Sequence, residues 1–319
     1  MENRYRPRRT CLSVPGSSAR MVEKAMSLPA DEVFLDLEDA VAPEAKTQAR
    51  EQVAAALAAP GWSGQLRGVR VNDWTTPWTH TDVIEVIGRA GASVDIVVLP
   101  KVTDVSHVQA LHLLLSQVEA THGLPVGRIG IEAQIEDARG LSHVDAIAAA
   151  PRVQALVLGP ADLMASLNMR TLEVGEQPEG YDVGDAYHHV LMRILIAARA
   201  NGINAIDGPY LKVHDVTAFR RVAARSAALG YDGKWVLHPD QIAAGNEIFS
   251  PRQQAYDHAE LILEAYEWHT SRAGGARGAV MLGDEMIDEA SRKMALVIAA
   301  KGRAAGMART GERFTPPTG

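Results

Sequence analysis

The chain has 319 residues, of which 47% are apolar and 22% charged, and a formal charge of −7 from 32 Lys+Arg against 39 Asp+Glu. This composition excludes a disordered, collagen-like or coiled-coil protein and supplies no global positive field to hold nucleic acid or an anionic membrane. The single cysteine, Cys11, rules out an intramolecular disulfide and cysteine-rich zinc sites. In chain order, the basic start Met1–Arg9 lacks the apolar stretch of a secretory signal, and no later segment runs ~18 apolar residues without charge. A cytoplasmic location follows as an expectation.

Eight β-rich runs come next, each ended by Gly, Pro, Asp or Asn and followed by an Ala/Leu-rich segment of helical period. They are Thr10–Val14, Glu32–Leu37, Gly68–Val71, Val94–Leu99, Arg128–Ile135, Val153–Leu158, Ile203–Ile206 and Trp235–Leu237. Eight strand-then-helix units predict a (β/α)8 TIM barrel over residues 1–249. A doubly wound open sheet fits less well, because no G-x-G-x-x-G follows the first strand. Several runs are also polar on alternate positions: Glu132, Gln134 and Glu136 alternate with Ile131, Ala133 and Ile135, as do Arg70 with Val69 and Val71, and Asp36 with Leu35 and Leu37. Because side chains flip face at every residue of a strand, the polar sets are predicted to line the barrel lumen. A charged group there must be paired or bind something.

Beyond the barrel, residues 250–319 are expected to form a helical extension. A helical pattern runs from Ser250–Pro251 to about Arg272, a flexible Ala273–Gly278 link follows, and Met286–Gly306 reads as helix again. A Gly-rich hinge before an amphipathic helix suits a lid or a subunit-swapped arm, and a plain packing helix fits the pattern equally.

Catalytic groups of such barrels gather at the C-terminal ends of the strands. The first strand ends at Ser13 and opens into Pro15-Gly16-Ser17-Ser18, a candidate anion cradle reinforced by Arg20 and Lys24, although an ordinary helix cap would look the same. Glu136 and Asp162 close adjacent strands five and six. With no Cys or convincing His cluster in support, two carboxylates point to a hard cation, Mg²⁺ or alternatively Mn²⁺. A salt bridge from Glu136 to Arg70 or Arg139, and helix capping by Asp162, are the rival readings. Arg70 faces the lumen as a candidate oxyanion or carboxylate donor. Glu38 and Asp39 would accept from metal-bound water or pair with Arg70. The long stretch Ser166–Gly184 is expected to cover substrate.

Ser13-Val-Pro-Gly-Ser, Asp36-Leu-Glu-Asp-Ala-Val41, Val69-Arg-Val-Asn72, Leu99-Pro-Lys101, Gln134-Ile-Glu-Asp-Ala-Arg-Gly140, Gly159-Pro-Ala-Asp-Leu163, Ala205-Ile-Asp-Gly208, Val236-Leu-His-Pro-Asp-Gln241 and Met286-Ile-Asp288, in this order over residues 8–305, resemble the citrate lyase β-subunit-like, or malyl-CoA lyase, family of the HpcH/HpaI aldolase superfamily. The resemblance implies a Mg²⁺-dependent carbon–carbon lyase that reversibly cleaves a 3-hydroxyacyl-CoA, such as L-malyl-CoA or β-methylmalyl-CoA, to acetyl-CoA or propionyl-CoA and glyoxylate. It implies Glu136 and Asp162 as metal ligands, Arg70 on the substrate oxygens, and Asp288 of the C-terminal lid as acid/base in a neighbouring subunit of a homotrimer or hexamer. By the same likeness Arg20, Lys24 and Lys101 would hold CoA phosphates, His238 and Pro239 would lie near the adenine, and Ser13, Gly159 and Ala161 would complete the substrate pocket. Pro160 departs from the family pattern and removes one amide donor, leaving those of Ala161 and Asp162. Three alternatives stay open: citramalyl-CoA cleavage, thioester hydrolysis of malyl-CoA, and a non-catalytic CoA-ester-binding subunit of a lyase complex.

Overall fold

The computed structural model describes residues 6–316. The expectation drawn from the start Met1–Arg9 therefore falls partly outside the described residues. Eight parallel strands close into a barrel in sequence order: β1 (Thr10–Pro15), β2 (Glu32–Asp36), β3 (Leu66–Arg70), β4 (Ile96–Leu99), β5 (Gly130–Ile135), β6 (Val153–Leu158), β7 (Asn204–Asp207) and β8 (Gly233–Val236). Closure is made by β1 pairing with β8, Cys11 opposite Trp235. This is the predicted (β/α)8 barrel. The strand ends shift by one or two residues from the sequence reading; β3 starts at Leu66 rather than Gly68, for example.

Around the barrel run α1 (Ala19–Ala25), α2 (Lys46–Ala58), α3 (Thr79–Ala90), α4 (Val105–Thr121), the short α5 (Ala138–Ser142) and α6 (Val144–Ala148), α7 (Pro160–Ser166), α8 (His188–Ala200), α9 (Val216–Leu229) and α10 (Asp240–Ile248). The outer core forms where the strands' apolar faces, including Val33, Leu35, Val69, Val97, Ile131, Ala133 and Leu156, meet these helices. Alternation then sends the other face inward. A second apolar cluster of Cys11, Phe34, Ile96, Val98, Ala155, Val157, Ile206 and Trp235 fills the lumen.

Polar layers flank that plug. Towards the strands' N-terminal ends Arg8 Nε lies 2.6 Å from Glu132 and 3.4 Å from Glu32, all three buried. Towards the C-terminal ends lie Asp36, Arg70, Gln134 and Glu136, also buried. Parallel register explains the first contact there: Asp36 stands opposite Arg70, so both side chains point inward side by side.

The stretch between β6 and its outer helix is not loop from Ser166 alone. Pro160 opens α7 as its first residue, a position whose N–H has no intrahelical partner anyway, and the irregular part, residues 167–187, follows. That segment is tied down by its acids: Glu176 accepts from Tyr210 Oη at 3.1 Å and from Arg221, and Asp185 pairs with Arg225 at 3.0 Å.

The chain divides into two units, Arg8–Phe249 and a second that holds the residues from Ser250 onward. The C-terminal unit contains α11 (Gln253–Thr270), a hairpin of β9 (Val280–Leu282) and β10 (Glu285–Ile287), and α12 (Glu289–Ala304). The hairpin corrects the sequence reading, which started the helix at Met286. Met286 and Ile287 pair across the turn with Met281 and Val280, and Gly283, at φ 60°, turns the chain between the strands. No helix among the described residues is long and apolar enough to cross a membrane.

Candidate active site

Arg70 is the best-fixed cation of the barrel mouth. Its Nε donates to Asp36 Oδ1 at 2.8 Å and Nη2 to Asp36 Oδ2 at 2.6 Å, a two-pronged carboxylate pair. Nη1 lies 3.0 Å from Glu38 Oε2, and the guanidinium sits 4.9 Å from the Trp235 ring centre. The Glu38 contact is one of the two readings that the sequence left open for that acid, and the Asp36 pair is an addition to it. Three of its five N–H groups face carboxylates, which leaves two for a ligand. Asp36 and Trp235 are the residues that sequence reasoning passed over. The inward alternation of β2 carried the signal for Asp36, whereas Trp235 comes beside Arg70 only through barrel closure.

Glu136 follows β5 directly. Lys101 donates its backbone N–H to Oε1 at 2.7 Å, and Gln134 donates its side-chain N–H to Oε2. Neither arginine named as its rival partner is paired with it among the described residues; Arg70 turns to Asp36 and Glu38. Burial, followed by the nearby charges of Asp162 and Glu38, pushes the carboxyl up to about 8. Burial thus disfavours its charged form, which a bound cation would restore. Gln134 Oε1, buried beside it, has no hydrogen-bond partner.

Asp162 lies in the first turn of α7, exposed and near enough for its charge to act on Glu136. It makes no cap hydrogen bond; the N-cap residue is Gly159. That glycine is dictated by the site, since a Cβ there would stand 2.3 Å from Glu136 Oε2 and 2.4 Å from Glu136 Cβ. Ala161 and Asp162 present first-turn N–H groups that the helix itself does not use.

Lys101 closes the other side. It adopts the left-handed conformation, φ 51°, and its ammonium contacts Glu38 and, at 3.3 Å, Asp39 Oδ1. Those carboxylates hold the Lys101 ammonium well above its usual range. Its side chain thus pairs with the acid cluster. Asp39 meets Lys101 and not Arg70.

Ser13, Arg20, Lys24, His238 and Pro239 converge on one cleft between the ends of β1 and β8 and helix α1, about 630 Å³ including its solvent-open part. Arg20 and Lys24 are exposed, and neither has an ion-pair partner among the described residues. In the Pro15–Ser18 turn one amide is used within the fold and the helix-cap reading finds no support. Gly16 N–H donates to Asp36 O at 2.8 Å, and a Cβ on Gly16 would stand 2.6 Å from Val53. Ser18 makes no side-chain cap bond.

In the C-terminal unit Asp288 is the N-cap of α12. Its Oδ1 accepts from the Ala290 and Ser291 amides at 2.9 and 3.0 Å, and the Ser291 hydroxyl faces the Asp288 amide in return. The Ser291 amide foremost holds its carboxyl below the usual range.

A protein-family model described as HpcH/HpaI aldolase/citrate lyase matches residues 9–239. The chain is 39% identical, over 92% of its length and 94% of the relative's, to an L-malyl-CoA/β-methylmalyl-CoA lyase of Cereibacter sphaeroides. It is 33% identical to a (3S)-malyl-CoA thioesterase of the same species, over 84% of this chain and 86% of that one. The solved structure of CitE from Mycobacterium tuberculosis in complex with magnesium, acetoacetate and coenzyme A superposes with a TM-score of 0.69 at 27% identity, covering 94% of this chain and 98% of that one.

Proposed function

We propose that this chain, which belongs to the HpcH/HpaI aldolase/citrate lyase family, is a Mg²⁺-dependent carbon–carbon lyase that reversibly cleaves malyl-CoA, or its β-methyl homologue, to glyoxylate and acetyl- or propionyl-CoA. The observation that carries this reading is Glu136: a carboxylate buried beside Asp162 and an unpartnered amide oxygen, whose charge burial disfavours and a cation would compensate. All-oxygen donors of this kind fit Mg²⁺.

Glu136 and Asp162 would hold Mg²⁺, which when bound polarises the oxygens of the substrate. Arg70 supplies the fixed part of the electrostatics. Held by Asp36, Glu38 and Trp235, it keeps two N–H donors aimed without reorganisation at oxygen that gains charge as the bond breaks. In the cleavage direction the hydroxyl proton passes to the proton-carrying carboxylate, that oxygen becomes the glyoxylate carbonyl, the electron pair of the carbon–carbon bond passes to the thioester as its enolate, and the same carboxylate returns the proton to the enolate carbon. The Ala161 and Asp162 amides suit the glyoxylate carboxylate, and Arg20 and Lys24, in the cleft with Ser13, His238 and Pro239, suit the CoA phosphates.

Asp288 is the proposed proton carrier, at Oδ2, since Oδ1 is occupied as a helix cap. A lid role in a neighbouring subunit of a trimer or hexamer finds support in the C-terminal unit, which exposes Met281, Met286, Met294, Leu296 and Val297. Cys11, buried and without a disulfide, suits the reducing cytoplasm.

The test is an assay of purified protein with malyl-CoA and Mg²⁺. Acetyl-CoA and glyoxylate formed in equal amounts, and abolished in Glu136→Gln, support the reading; free CoA thiol with malate would assign thioester hydrolysis instead, the activity for which the 33% identical relative is named. Turnover that is unchanged by chelation would overturn the metal role.

A further inference from the structure

Outside the acidic site, the described residues contain one cluster with the chemistry of a different metal. His214 lies in the β7–α9 connection, His238 two residues past β8, and Asp240 opens α10. One ligand atom of each lies within 4.8 Å of the other two. We propose that His214, His238 and Asp240 form a binding site for a borderline transition-metal ion of the Zn²⁺ or Co²⁺ type, separate from the carboxylate site for Mg²⁺.

The distances carry the inference. Asp240 Oδ2 is 3.5 Å from His214 Nδ1 and 3.2 Å from His238 Nδ1. Zn–N and Zn–O bonds of about 2.0–2.1 Å in a tetrahedron separate neighbouring ligand atoms by about 3.3 Å, between those two values. Two of the three separations thus match a tetrahedral ion, and the third, between the two imidazoles, lies within 4.8 Å. The rings already stand edge to face, with centres 4.7 Å apart and an interplanar angle of 72°. The one competing contact is weak: His238 Nδ1 accepts from the Asp240 amide at 3.3 Å, near the limit of a hydrogen bond. Three protein ligands leave a position open to water, consistent with the exposure of His214 and Asp240.

Ligand softness separates the two sites. Imidazole nitrogen favours Zn²⁺ and Co²⁺ over Mg²⁺, whereas Glu136 and Asp162 offer oxygen alone. The proposal does not rest on the lyase reading, because no residue of the cluster belongs to the acidic site, although His238 also lines the cleft proposed for CoA.

The experiment titrates Co²⁺ into the full-length protein in a large excess of Mg²⁺ and follows its visible absorption, which is intense for nitrogen-containing four-coordinate Co²⁺ and faint for octahedral oxygen ligation. The expected result is one equivalent giving the intense band, with affinity reduced at least about tenfold in His214→Gln and in Asp240→Asn and unchanged in Glu136→Gln. His214 is exposed, so its replacement leaves the fold intact, and Asp240→Asn supplies a second variant. Absence of the band at millimolar Co²⁺, a band that survives both variants, or one lost in Glu136→Gln would each overturn the assignment.

Discussion

Lys101 donates its backbone N–H to Glu136 Oε1 at 2.7 Å while sitting at φ 51°, a left-handed conformation that costs a non-glycine residue about 1–2 kcal/mol. One residue thus performs two tasks: its main chain orients the metal-site carboxylate, and its ammonium neutralises Glu38 and Asp39. Replacement separates them. Lys101→Gly relieves the backbone and deletes the ammonium, whereas Lys101→Ala deletes the ammonium alone. Both should lose activity to a similar degree, with the glycine variant more stable than the alanine variant by about 1 kcal/mol in denaturant unfolding.

The Glu136 carboxyl sets a pH dependence of stability. Its folded value, about 8, lies above the ordinary 4.5, so between those limits the folded metal-free protein holds a proton that the unfolded chain has released. Stability therefore falls as pH rises through that window and levels off above it, by an amount on the order of 5 kcal/mol for this group. Glu136→Gln should flatten the decline and be the more stable protein at pH 8 without metal. Mg²⁺ should raise the melting temperature of the wild type at pH 8 and leave the variant unmoved. Calorimetric scans at pH 6 and pH 8, with and without Mg²⁺, check both statements.

Gly159 offers a test that leaves every candidate ligand in place. An added Cβ would press on both the Cβ and Oε2 of Glu136, so Gly159→Ala must displace the carboxylate or the first turn of α7. The expected cost is about 1–3 kcal/mol in stability, with Mg²⁺ required at higher concentration for half-maximal activity. Unchanged Mg²⁺ dependence would show that the close approach has no bearing on the metal site.

The barrel was legible because polar residues sat at every second position of strands that burial should have made apolar. Ile131, Ala133 and Ile135 do face the helices, and Glu132, Gln134 and Glu136 are turned away from them. Arg70 was visible as an inward cation, and its partner was not, because the Asp36–Arg70 pairing depends on the register of β2 against β3, which neither strand encodes alone. Likewise no sequence spacing links Lys101 to Glu136, or His214 to His238 and Asp240; strand order around the barrel makes them neighbours. Met286 and Ile287 satisfy a helical pattern as readily as a hairpin, so the sequence does not separate β10 from α12, and the Asp288 cap that starts α12 is visible only once that helix start is known.

At the opposite end of the lumen, Arg8 serves two buried acids, Glu132 at 2.6 Å and Glu32 at 3.4 Å. Burial first, and then the Glu132 charge, hold the Glu32 carboxyl well above its usual range. Removing the cation leaves two acids in an apolar surround, so Arg8→Met should destabilise by about 3–5 kcal/mol at neutral pH. Glu32→Gln removes a group whose charged form is unfavourable in the folded state. It should be neutral or stabilising, and increasingly so as pH rises, because Glu32 is charged in the unfolded chain above its ordinary value. Urea unfolding at pH 5 and pH 8 reads both trends.

Asp288 combines a structural and a chemical assignment that substitution can separate. Its Oδ1 satisfies two orphan amides at the start of α12, a service that Asn performs about as well and Ala does not. Asp288→Asn should therefore keep the melting behaviour of the wild type, while Asp288→Ala lowers the thermal stability of the C-terminal unit. If Oδ2 carries the proton, the two variants lose turnover alike, by about 10²-fold or more, with little change in KM. A helix cap with no chemical role predicts the opposite split: turnover preserved in Asp288→Asn and reduced only where the cap is lost. Because the amides of Ser291 and Ala290 favour the anion, the proton-accepting form is the resting one at neutral pH, and activity in the condensation direction should fall only on strong acidification.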